Sequence, residues 1–281
     1  MLTSPPRERA LDNAPGLELH VVPLRSVMPH EVADPARLSR IEQRLATDTL
    51  LRDPVIVGRV PDVEGYVLLD GTNRSGALQR LGHPLVMAQI LDYADPHAVS
   101  LRTWCHAAYV AIDTILDGAR RIPDVSIERL APLAAADAVH DQRTLAVLLD
   151  AHHRYVLLRD SLGHHAEQLR ALVGLYEGHM AREDCTPDGI EERAKALEPP
   201  STLVAFPRFT RAQVVGLAID QTPIPAGITR HTINDGRALR VNLPLEVLNG
   251  NDPAAADEIL QRHLRLLSPR IYREPTILFD S

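Results

Sequence analysis

Lysine is almost absent from this chain of 281 residues: of its 30 basic residues, only Lys195 is a lysine and the others are arginines. This absence excludes the phosphate-binding devices that depend on lysine. A P-loop needs a lysine directly after a glycine-rich run, whereas Lys195 lies in the charged stretch ERAKALE. The strand lysine of protein kinases is missing too. A Schiff-base enzyme would have to use Lys195, which lies in a segment that we expect to be an exposed helix. Any phosphate must therefore be bound by arginine, backbone amides and metal.

Cysteine and long apolar runs are also scarce. The two cysteines, Cys105 and Cys185, are too few for a disulfide framework or a cysteine zinc site. No stretch approaches the roughly 18 apolar residues that span a bilayer, and the polar start MLTSPPRERALDNAPG lacks the apolar core of a signal peptide. We therefore expect a cytoplasmic protein without membrane contact. The net charge of −7 argues against a nucleic-acid partner, because such proteins usually carry a basic surface.

The chain is long enough for two domains of ordinary size. Residues 1–16 are rich in proline and charge and predict a disordered tail. A change of pattern near residue 95 divides the rest into an N-terminal domain, 17–95, and a larger C-terminal domain, 96–281. Both alternate strand and helix patterns, which predicts an α/β (α+β) fold class with a larger, mixed α/β C-terminal domain.

The N-terminal domain reads as a compact β/α unit. Residues 34–49 place Leu38, Ile41 and Leu45 at helical spacing, with Asp34 as the expected N-cap. A second helix is expected in GTNRSGALQRLG. Strands are predicted at 17–24, 54–60, 66–70 and 84–93.

The C-terminal domain contains longer segments. The stretch 99–116 is apolar enough to predict one long helix. Further helices are predicted at 161–178 and at 210–220, where Thr210 is the expected N-cap. A hairpin is predicted at 144–159 and a strand at 201–209. A proline- and glycine-bounded loop running into a strand is predicted at 222–233, followed by one strand and two helices after residue 236 and a closing strand at 270–280.

The most informative local signal is LLDGTNR, residues 68–74. A buried strand ends at Asp70, Gly71 permits a tight turn, and a helix begins whose free amides and positive dipole end suit phosphate. Arg74 lies in the first turn of this helix, and Asp70 is suited to hold Mg²⁺. An ordinary capped strand–helix turn explains the same residues equally well, so physical chemistry alone leaves both interpretations open.

The order of strands and helices around this turn resembles the ParB/sulfiredoxin-type domain over residues 17–93. Sulfiredoxins have a catalytic cysteine where this chain has Thr72, which excludes sulfur chemistry. Chromosome-partitioning ParB proteins have a Glu-Arg pair where this chain has Thr72 and Asn73, and no helix-turn-helix pattern follows here. The third branch of this domain, the free serine kinases, resembles the chain over nearly its whole length.

Four motifs in the same order carry this resemblance to the archaeal ADP-dependent enzymes and to the ATP-dependent enzymes of bacterial siderophore biosynthesis. They are His30-Glu31, the loop Asp70–Arg74, Trp104 followed by His106, and the segment Gly227-Ile228-Thr229-Arg230-His231. A closing R-x-Y-x-E-P pattern, Arg270 to Pro275, fits as well if the spacing is relaxed by one or two residues.

The resemblance implies a kinase that converts free L-serine to O-phospho-L-serine, a precursor in amino-acid biosynthesis, with ATP or ADP as donor and Mg²⁺ as cofactor. It implies that Glu31 is the general base, assisted by His30 and Asp70. The implied phosphate-binding residues are Asp70, Gly71, Thr72, Asn73 and Arg74, with Asp70 also the metal ligand. The implied substrate-binding residues are Trp104, His106, Thr229, Arg230 and His231.

Each of these residues also has an ordinary structural interpretation. A glutamate before a helix usually caps it or faces solvent, a single tryptophan usually fills a core, and an arginine at a strand start usually lies at the surface. Two other functions remain open: a kinase for another hydroxy amino acid, such as threonine or homoserine, and a non-enzymatic ParB-like regulator that binds CTP or DNA. A homodimer is compatible with the sequence.

Overall fold

The computed structural model describes residues 17–159 and 165–270. The predicted N-terminal tail lies outside these residues. The predicted closing strand and the R-x-Y-x-E-P pattern also lie outside them, apart from Arg270, with which both begin. Strands are β1 Glu18–Pro23, β2 Val27–Pro29, β3 Leu50–Leu51, β4 Val55–Arg59, β5 Tyr66–Asp70, β6 Leu85–Asp92, β7 Val99–Thr103, β8 Cys105–Ala108, β9 Val125–Arg129, β10 Thr144–Leu149, β11 Arg154–Arg159, β12 Met180–Glu183, β13 Thr202–Ala205, β14 Thr229–Ile233 and β15 Leu243–Pro244.

Helices alternate with these strands along the chain. They are α1 Pro35–Thr47, α2 Thr72–Arg80, α3 Ile112–Ala119, α4 Ala135–Ala138, α5 His165–Gly174, α6 Ile190–Lys195, α7 Arg211–Ile219 and α8 Pro253–Leu264, with short 3₁₀ turns at Leu24–Ser26, Pro187–Gly189 and Leu245–Asn249. This mixture of helices and sheets confirms the predicted α/β class. Lys195 is exposed at the end of α6, as expected. No helix within the described residues is long and apolar enough to cross a membrane.

The chain folds into two compact units, neither of which is one continuous segment. Among the described residues, unit 1 contains 17–28, 34–99 and 233–270, and unit 2 contains 29–33, 100–159 and 165–232. The predicted domains, 17–95 and 96–281, are continuous. In the structure, the C-terminal segment from residue 233 belongs to unit 1, together with most of the predicted N-terminal domain. The short segment 29–33 belongs to unit 2.

Unit 1 is built on a five-stranded sheet in the order β1-β6-β4-β5-β2. The strand β6 runs antiparallel to β1 and parallel to β4, and β4 runs antiparallel to β5. All four strands predicted in this region are confirmed, and so is helix α1, whose N-cap Asp34 accepts a hydrogen bond from the Arg37 amide at 3.0 Å.

The C-terminal segment completes the core of unit 1. Helix α8 lies against β1, where Asp257 accepts a hydrogen bond from the Val21 amide at 2.9 Å and Gln261 donates to the Leu19 carbonyl at 2.8 Å. Buried side chains of this segment share one hydrophobic cluster with those of β1, β4 and β6; they are Val241, Leu243, Leu245, Leu248, Ala256, Leu260 and Leu264.

Unit 2 is built on a six-stranded antiparallel sheet in the order β12-β8-β13-β10-β11-β9. The predicted hairpin is confirmed as β10 and β11, and the predicted strand at 201–209 as β13. Helix α7 begins with a capping box, in which the side chains of Thr210 and Gln213 each form a hydrogen bond with the other residue's backbone amide. This confirms Thr210 as the N-cap. The strand predicted within the segment 222–233 is confirmed as β14, which pairs with β7 in a two-stranded ribbon.

The single long helix predicted over 99–116 is wrong. This stretch forms two strands, β7 and β8, followed by the short helix α3. All four residues of β8 are buried, because β8 lies between β12 and β13 and pairs with both. A short apolar run fits a helix and a doubly paired strand equally well. The partners that decide between the two are 72 or more positions away in the chain.

Candidate active site

The turn after β5 has the geometry that its sequence predicts. Gly71 is the N-cap of α2 and has φ +100°, a left-handed conformation that favours glycine. A Cβ at this position would stand 2.9 Å from Val55 Cγ1 and 3.1 Å from Arg74 Nη2. The first amides of α2 therefore follow Asp70 directly, and no side chain caps them.

Asp70 is neutralised by two arginines. Its Oδ2 accepts hydrogen bonds from Arg74 Nη2 at 3.0 Å and from Arg237 Nη1 at 2.7 Å. Burial alone would raise the pKa of the Asp70 carboxyl, but the two positive charges outweigh burial and lower the pKa. Arg74 Nη1 is engaged too, by the carbonyls of Pro54 at 2.8 Å and Asp53 at 3.3 Å. The cluster thus carries one surplus positive charge.

The other two residues of this turn have different surroundings. Asn73 Oδ1 accepts a hydrogen bond from the Asp34 amide at 2.9 Å, so its side chain joins α2 to the start of α1. The Thr72 carbonyl accepts from Ser75 Oγ at 3.0 Å. Both lie in the first turn of α2, where the sequence places them, and their binding of phosphate stays a prediction.

In unit 2, the carboxylate of Glu31 is bound by three consecutive residues of a loop. Oε2 accepts a hydrogen bond from the Gly227 amide at 2.9 Å. Oε1 accepts from the Ile228 amide at 3.1 Å, the Thr229 amide at 2.6 Å and Thr229 Oγ1 at 2.7 Å. A carboxylate offers about four lone-pair directions. Oε1 is therefore fully engaged, whereas Oε2 accepts a single hydrogen bond from the described residues.

Backbone hydrogen bonds hold Glu31 at this loop. Ile224 donates to the His30 carbonyl at 2.9 Å, and Val32 donates to the Ile224 carbonyl at 2.8 Å. The segment 29–33 thereby forms a parallel bridge with the loop. Pro223 and Pro225 flank this bridge and cannot donate backbone hydrogen bonds themselves, so pairing is confined to Ile224. This bridge explains why five residues near unit 1 in sequence belong to unit 2.

His30 supports Glu31 through Thr229. The Thr229 hydroxyl proton is directed to Glu31, so His30 Nε2 donates to Thr229 Oγ1, at 2.7 Å. The His30 ring also contacts the His231 ring edge to face, with centroids 5.3 Å apart. His30, Thr229 and His231 are all buried. Four of the residues predicted from two distant motifs are thus brought together.

Trp104 and Arg230 form a second pair in unit 2. The Arg230 guanidinium lies over the Trp104 ring, 4.3 Å from its centroid, and forms an ion pair with Asp184. Trp104 also borders a cavity of about 200 Å³ whose other walls are mostly apolar and include Cys105 and Cys185. The tryptophan is only partly buried, and its amide donates to the Ile228 carbonyl at 2.8 Å, next to the residues that bind Glu31.

His106 is fully buried and bound on both ring nitrogens. Its Nε2 lies 2.9 Å from the Gly227 carbonyl and its Nδ1 lies 3.1 Å from the Tyr176 hydroxyl. Burial lowers the pKa of His106, the hydrogen bond to Gly227 opposes this and the nearby charge of Arg182 adds to it, so that the pKa is about 4. The imidazole is neutral at pH 7. Its contact with substrate, which the resemblance implies, stays a prediction.

Three residues of these clusters are missing from the sequence-based set: Arg237, Asp184 and Tyr176. Arg237 lies in the stretch 233–242, which carries no motif, and it reaches Asp70 only because the C-terminal segment folds back into unit 1. Asp184 and Tyr176 lie in the region between the Trp104 motif and the Gly227 motif. The sequence gives no local signal for any of the three.

A metal would find few ready-made protein ligands here. Within the described ranges there is no cluster of three His, Cys, Asp or Glu side chains that could hold a metal ion. Mg²⁺ commonly binds through one or two carboxylates together with substrate phosphates and water. Asp70 is the predicted carboxylate; its Oδ2 accepts from two arginines, and its binding of Mg²⁺ stays a prediction.

Two proteins that are named as L-serine kinases are similar to this chain in sequence. An ATP-dependent L-serine kinase from Staphylothermus marinus is 31% identical over 97 residues, which cover 34% of this chain and 38% of that protein. The match therefore spans well under half of that relative. The ATP-dependent L-serine kinase SbnI from Staphylococcus aureus is 22% identical over 237 residues, 83% of this chain and 85% of that protein. No protein-family model matches the chain.

Solved structures show the same fold. A C-terminally truncated SbnI from Staphylococcus aureus superposes with a TM-score of 0.70 and 19% identity over 91% of this chain and 98% of that chain. A free serine kinase in complex with AMP superposes with a TM-score of 0.69 and 18% identity over 83% of this chain and 94% of that chain. These matches confirm the resemblance to the free serine kinases that the four motifs predict.

Proposed function

We propose that this chain, which is similar to the L-serine kinases in sequence and in fold, phosphorylates the hydroxyl of free L-serine to give O-phospho-L-serine. The observation that carries the proposal is the carboxylate of Glu31, held by three residues of the Gly227 motif. Two motifs far apart in sequence thus form one site, as a shared catalytic role requires. The sequence relatives are named ATP-dependent, which favours ATP over ADP as donor.

The phosphates of the nucleotide are assigned to the Asp70 turn in unit 1. The free amides of α2, its dipole and the surplus positive charge of the Asp70 cluster all favour an anion there. Arg237 is the better placed of the two arginines for phosphate, since its side chain is 40% exposed and that of Arg74 is 20% exposed and bound to two carbonyls. Asp70 would hold Mg²⁺, which neutralises phosphate charge when bound.

Glu31 is assigned as the general base. The serine hydroxyl proton would pass to Oε2, the oxygen with lone-pair capacity left, as the serine oxygen bonds to the terminal phosphorus and the nucleotide with one phosphate fewer departs. His30 and Thr229 keep the carboxylate in place by hydrogen bonds that occupy Oε1. The base is thereby aligned before substrate arrives, which lowers the entropic part of the barrier.

The amino acid is assigned to Trp104, Arg230 and His231 of unit 2. Arg230 is suited to pair with the serine carboxylate, because a guanidinium binds a carboxylate with two parallel hydrogen bonds. Its present partner is Asp184, whose carboxylate is the same chemical group. A substrate carboxylate would compete with Asp184 for this arginine while the Trp104 ring keeps the guanidinium plane fixed.

The test is a turnover assay of the full chain with MgATP or MgADP and L-serine, L-threonine or L-homoserine, with products identified by ³¹P NMR. We expect O-phospho-L-serine. Glu31→Gln should lower kcat by about 10²- to 10⁴-fold and leave the affinity for ATP unchanged, whereas Glu258→Gln, at an exposed position of α8, should behave as wild type.

Two outcomes would contradict the proposal. Undiminished turnover by Glu31→Gln would exclude this residue as the base. No turnover with any hydroxy amino acid, combined with DNA binding that weakens with salt, would favour the ParB-like regulator instead.

A further inference from the structure

Behind the loop that binds Glu31 lies a buried pair of side chains to which the proposed reaction assigns no role. His106 is 0% exposed and Tyr176 is 1% exposed. Their rings meet edge to face, and the His106 ring also meets Phe206, with centroids 4.8 Å apart. Packed in this way, His106 reaches the loop through its hydrogen bond to the Gly227 carbonyl.

The direction of each hydrogen bond follows from the groups involved. A carbonyl only accepts, so His106 Nε2 carries the proton and donates to Gly227. Nδ1 of the neutral ring is then an acceptor, and the Tyr176 hydroxyl donates a hydrogen bond to it. Burial lowers the pKa of His106 to about 4, which leaves the ring neutral near pH 7. Burial raises the pKa of Tyr176 well above its usual value, so the hydroxyl keeps its proton.

The chain of hydrogen bonds continues to Glu31 through one peptide group. The Gly227 carbonyl and the Ile228 amide belong to the same peptide, and this amide donates to Glu31 Oε1 at 3.1 Å. A donor at the carbonyl polarises the peptide and makes its N–H a stronger donor. Four groups are thus linked in sequence: the Tyr176 hydroxyl, the His106 imidazole, the Gly227–Ile228 peptide and the Glu31 carboxylate.

The loop has little freedom to replace this support. Gly227 has φ +81°, and a Cβ there would collide with the guanidinium of Arg182, so the peptide is enclosed on that side by a side chain from β12. His106 lies opposite Arg182 in the pairing of β8 with β12. Without the imidazole, the Gly227 carbonyl would lose its donor at a buried position.

We propose that His106 and Tyr176 are positioning residues, which orient the Gly227–Ile228 peptide and thereby fix the carboxylate of Glu31. The part that concerns catalysis rests on the proposed function, in which Glu31 is the base. The part that concerns the loop does not, because it predicts a property of the Ile228 amide that can be measured without any turnover.

The test compares His106→Leu, His106→Gln and Tyr176→Phe in the full chain. Leucine removes the donor and keeps an apolar side chain. Glutamine places an amide nitrogen at the same number of bonds from Cβ as Nε2, so it restores the donor to Gly227. Phenylalanine removes only the hydroxyl that binds Nδ1. Gln168→Leu is the matched control, because it removes an amide that donates to the Pro123 and Asp124 carbonyls elsewhere in unit 2.

We expect the properties of the Ile228 amide and the value of kcat to change together in these variants. His106→Leu should accelerate hydrogen exchange of the Ile228 amide about 10-fold, and shift its NMR proton resonance upfield, because its hydrogen bond to Glu31 weakens. It should also lower kcat about 10-fold at unchanged KM for ATP. His106→Gln should recover both values to within about 3-fold, and Tyr176→Phe should have the smaller effect, since Nε2 still donates.

The controls separate positioning from general destabilisation. The inference is overturned if His106→Leu leaves the Ile228 amide unchanged, if glutamine is as impaired as leucine, or if Gln168→Leu produces the same loss of kcat. If the wild-type chain turns over no serine, the proposed function fails, while the exchange and NMR data still decide whether His106 fixes the loop.

Discussion

At the scale of single residues, Gly71 shows how backbone conformation and packing act on the same position. Its φ of +100° is strained for any residue with a Cβ, and the space that a Cβ would need is already filled by Val55 and Arg74. Gly82, which ends the same helix, has φ +80° and open space around it. The two glycines therefore share the conformational requirement and differ in packing.

We expect Gly71→Ala to destabilise the protein more than Gly82→Ala. Strain alone should cost about 1 to 2 kcal/mol at either position, and Gly71→Ala should lose more, because Val55 and Arg74 must move. Only Gly71→Ala should weaken ATP binding. Urea unfolding and calorimetric titration with MgATP measure the two effects. Equal loss of stability in both variants would show that packing around Gly71 is unimportant.

At the scale of elements, helices with their own caps are predictable and segments that depend on distant partners are not. Helix α7 carries its start signal within four residues, Thr210 to Gln213, and it begins where that signal places it. The segment 99–116 has no such signal, and it becomes β7, β8 and α3 because other strands pair with it. The hairpin β10–β11 is predictable for the same reason as α7, since its partners are adjacent in the chain.

The capping box gives a direct test at this scale. Thr210→Ala should lower the free energy of unfolding by about 1 kcal/mol, because the Gln213 amide loses its acceptor at an otherwise unsatisfied helix start. Thr210→Ser keeps the hydroxyl and should stay close to wild type. Thermal and urea unfolding provide the measurement. A serine variant as unstable as the alanine variant would mean that the threonine methyl group, and not the cap, stabilises α7.

At the scale of the whole molecule, unit 1 depends on both ends of the described chain. Helix α8 contributes Leu260, which is fully buried, to the cluster that also contains Leu19 and Val21 of β1. The next residue in sequence towards the N-terminus, Ile259, is 42% exposed. Neighbouring residues on α8 thus have opposite environments, which allows a matched comparison.

Leu260→Ala should destabilise unit 1 by about 2 to 5 kcal/mol, because a large side chain is removed from a closed core. Ile259→Ala should change stability by no more than about 0.5 kcal/mol. Denaturant unfolding, followed by the sole tryptophan, Trp104 of unit 2, and by circular dichroism, would show whether the two units unfold together. A small effect of Leu260→Ala would mean that the C-terminal segment is dispensable for unit 1.

The sequence by itself determined the α/β class, most of the locally signalled elements and the residue types of the candidate site. It did so because strand and helix periodicity, caps and the Asp70–Arg74 turn are properties of short segments. It also identified His30-Glu31 and Gly227 to His231 as motifs, although it contained nothing to connect them.

Only the tertiary structure decided which of these residues meet. Glu31 lies 196 positions from Gly227, and Asp70 lies 167 positions from Arg237. Such pairings depend on the parallel bridge to Ile224 and on the return of the C-terminal segment to unit 1. They arise from packing and hydrogen bonds between distant segments, and the local sequence pattern of one segment does not indicate which other segment it contacts. Because the chain has a single lysine, arginine is expected to bind phosphate, and the fold places an arginine that no motif contains, Arg237, beside Asp70.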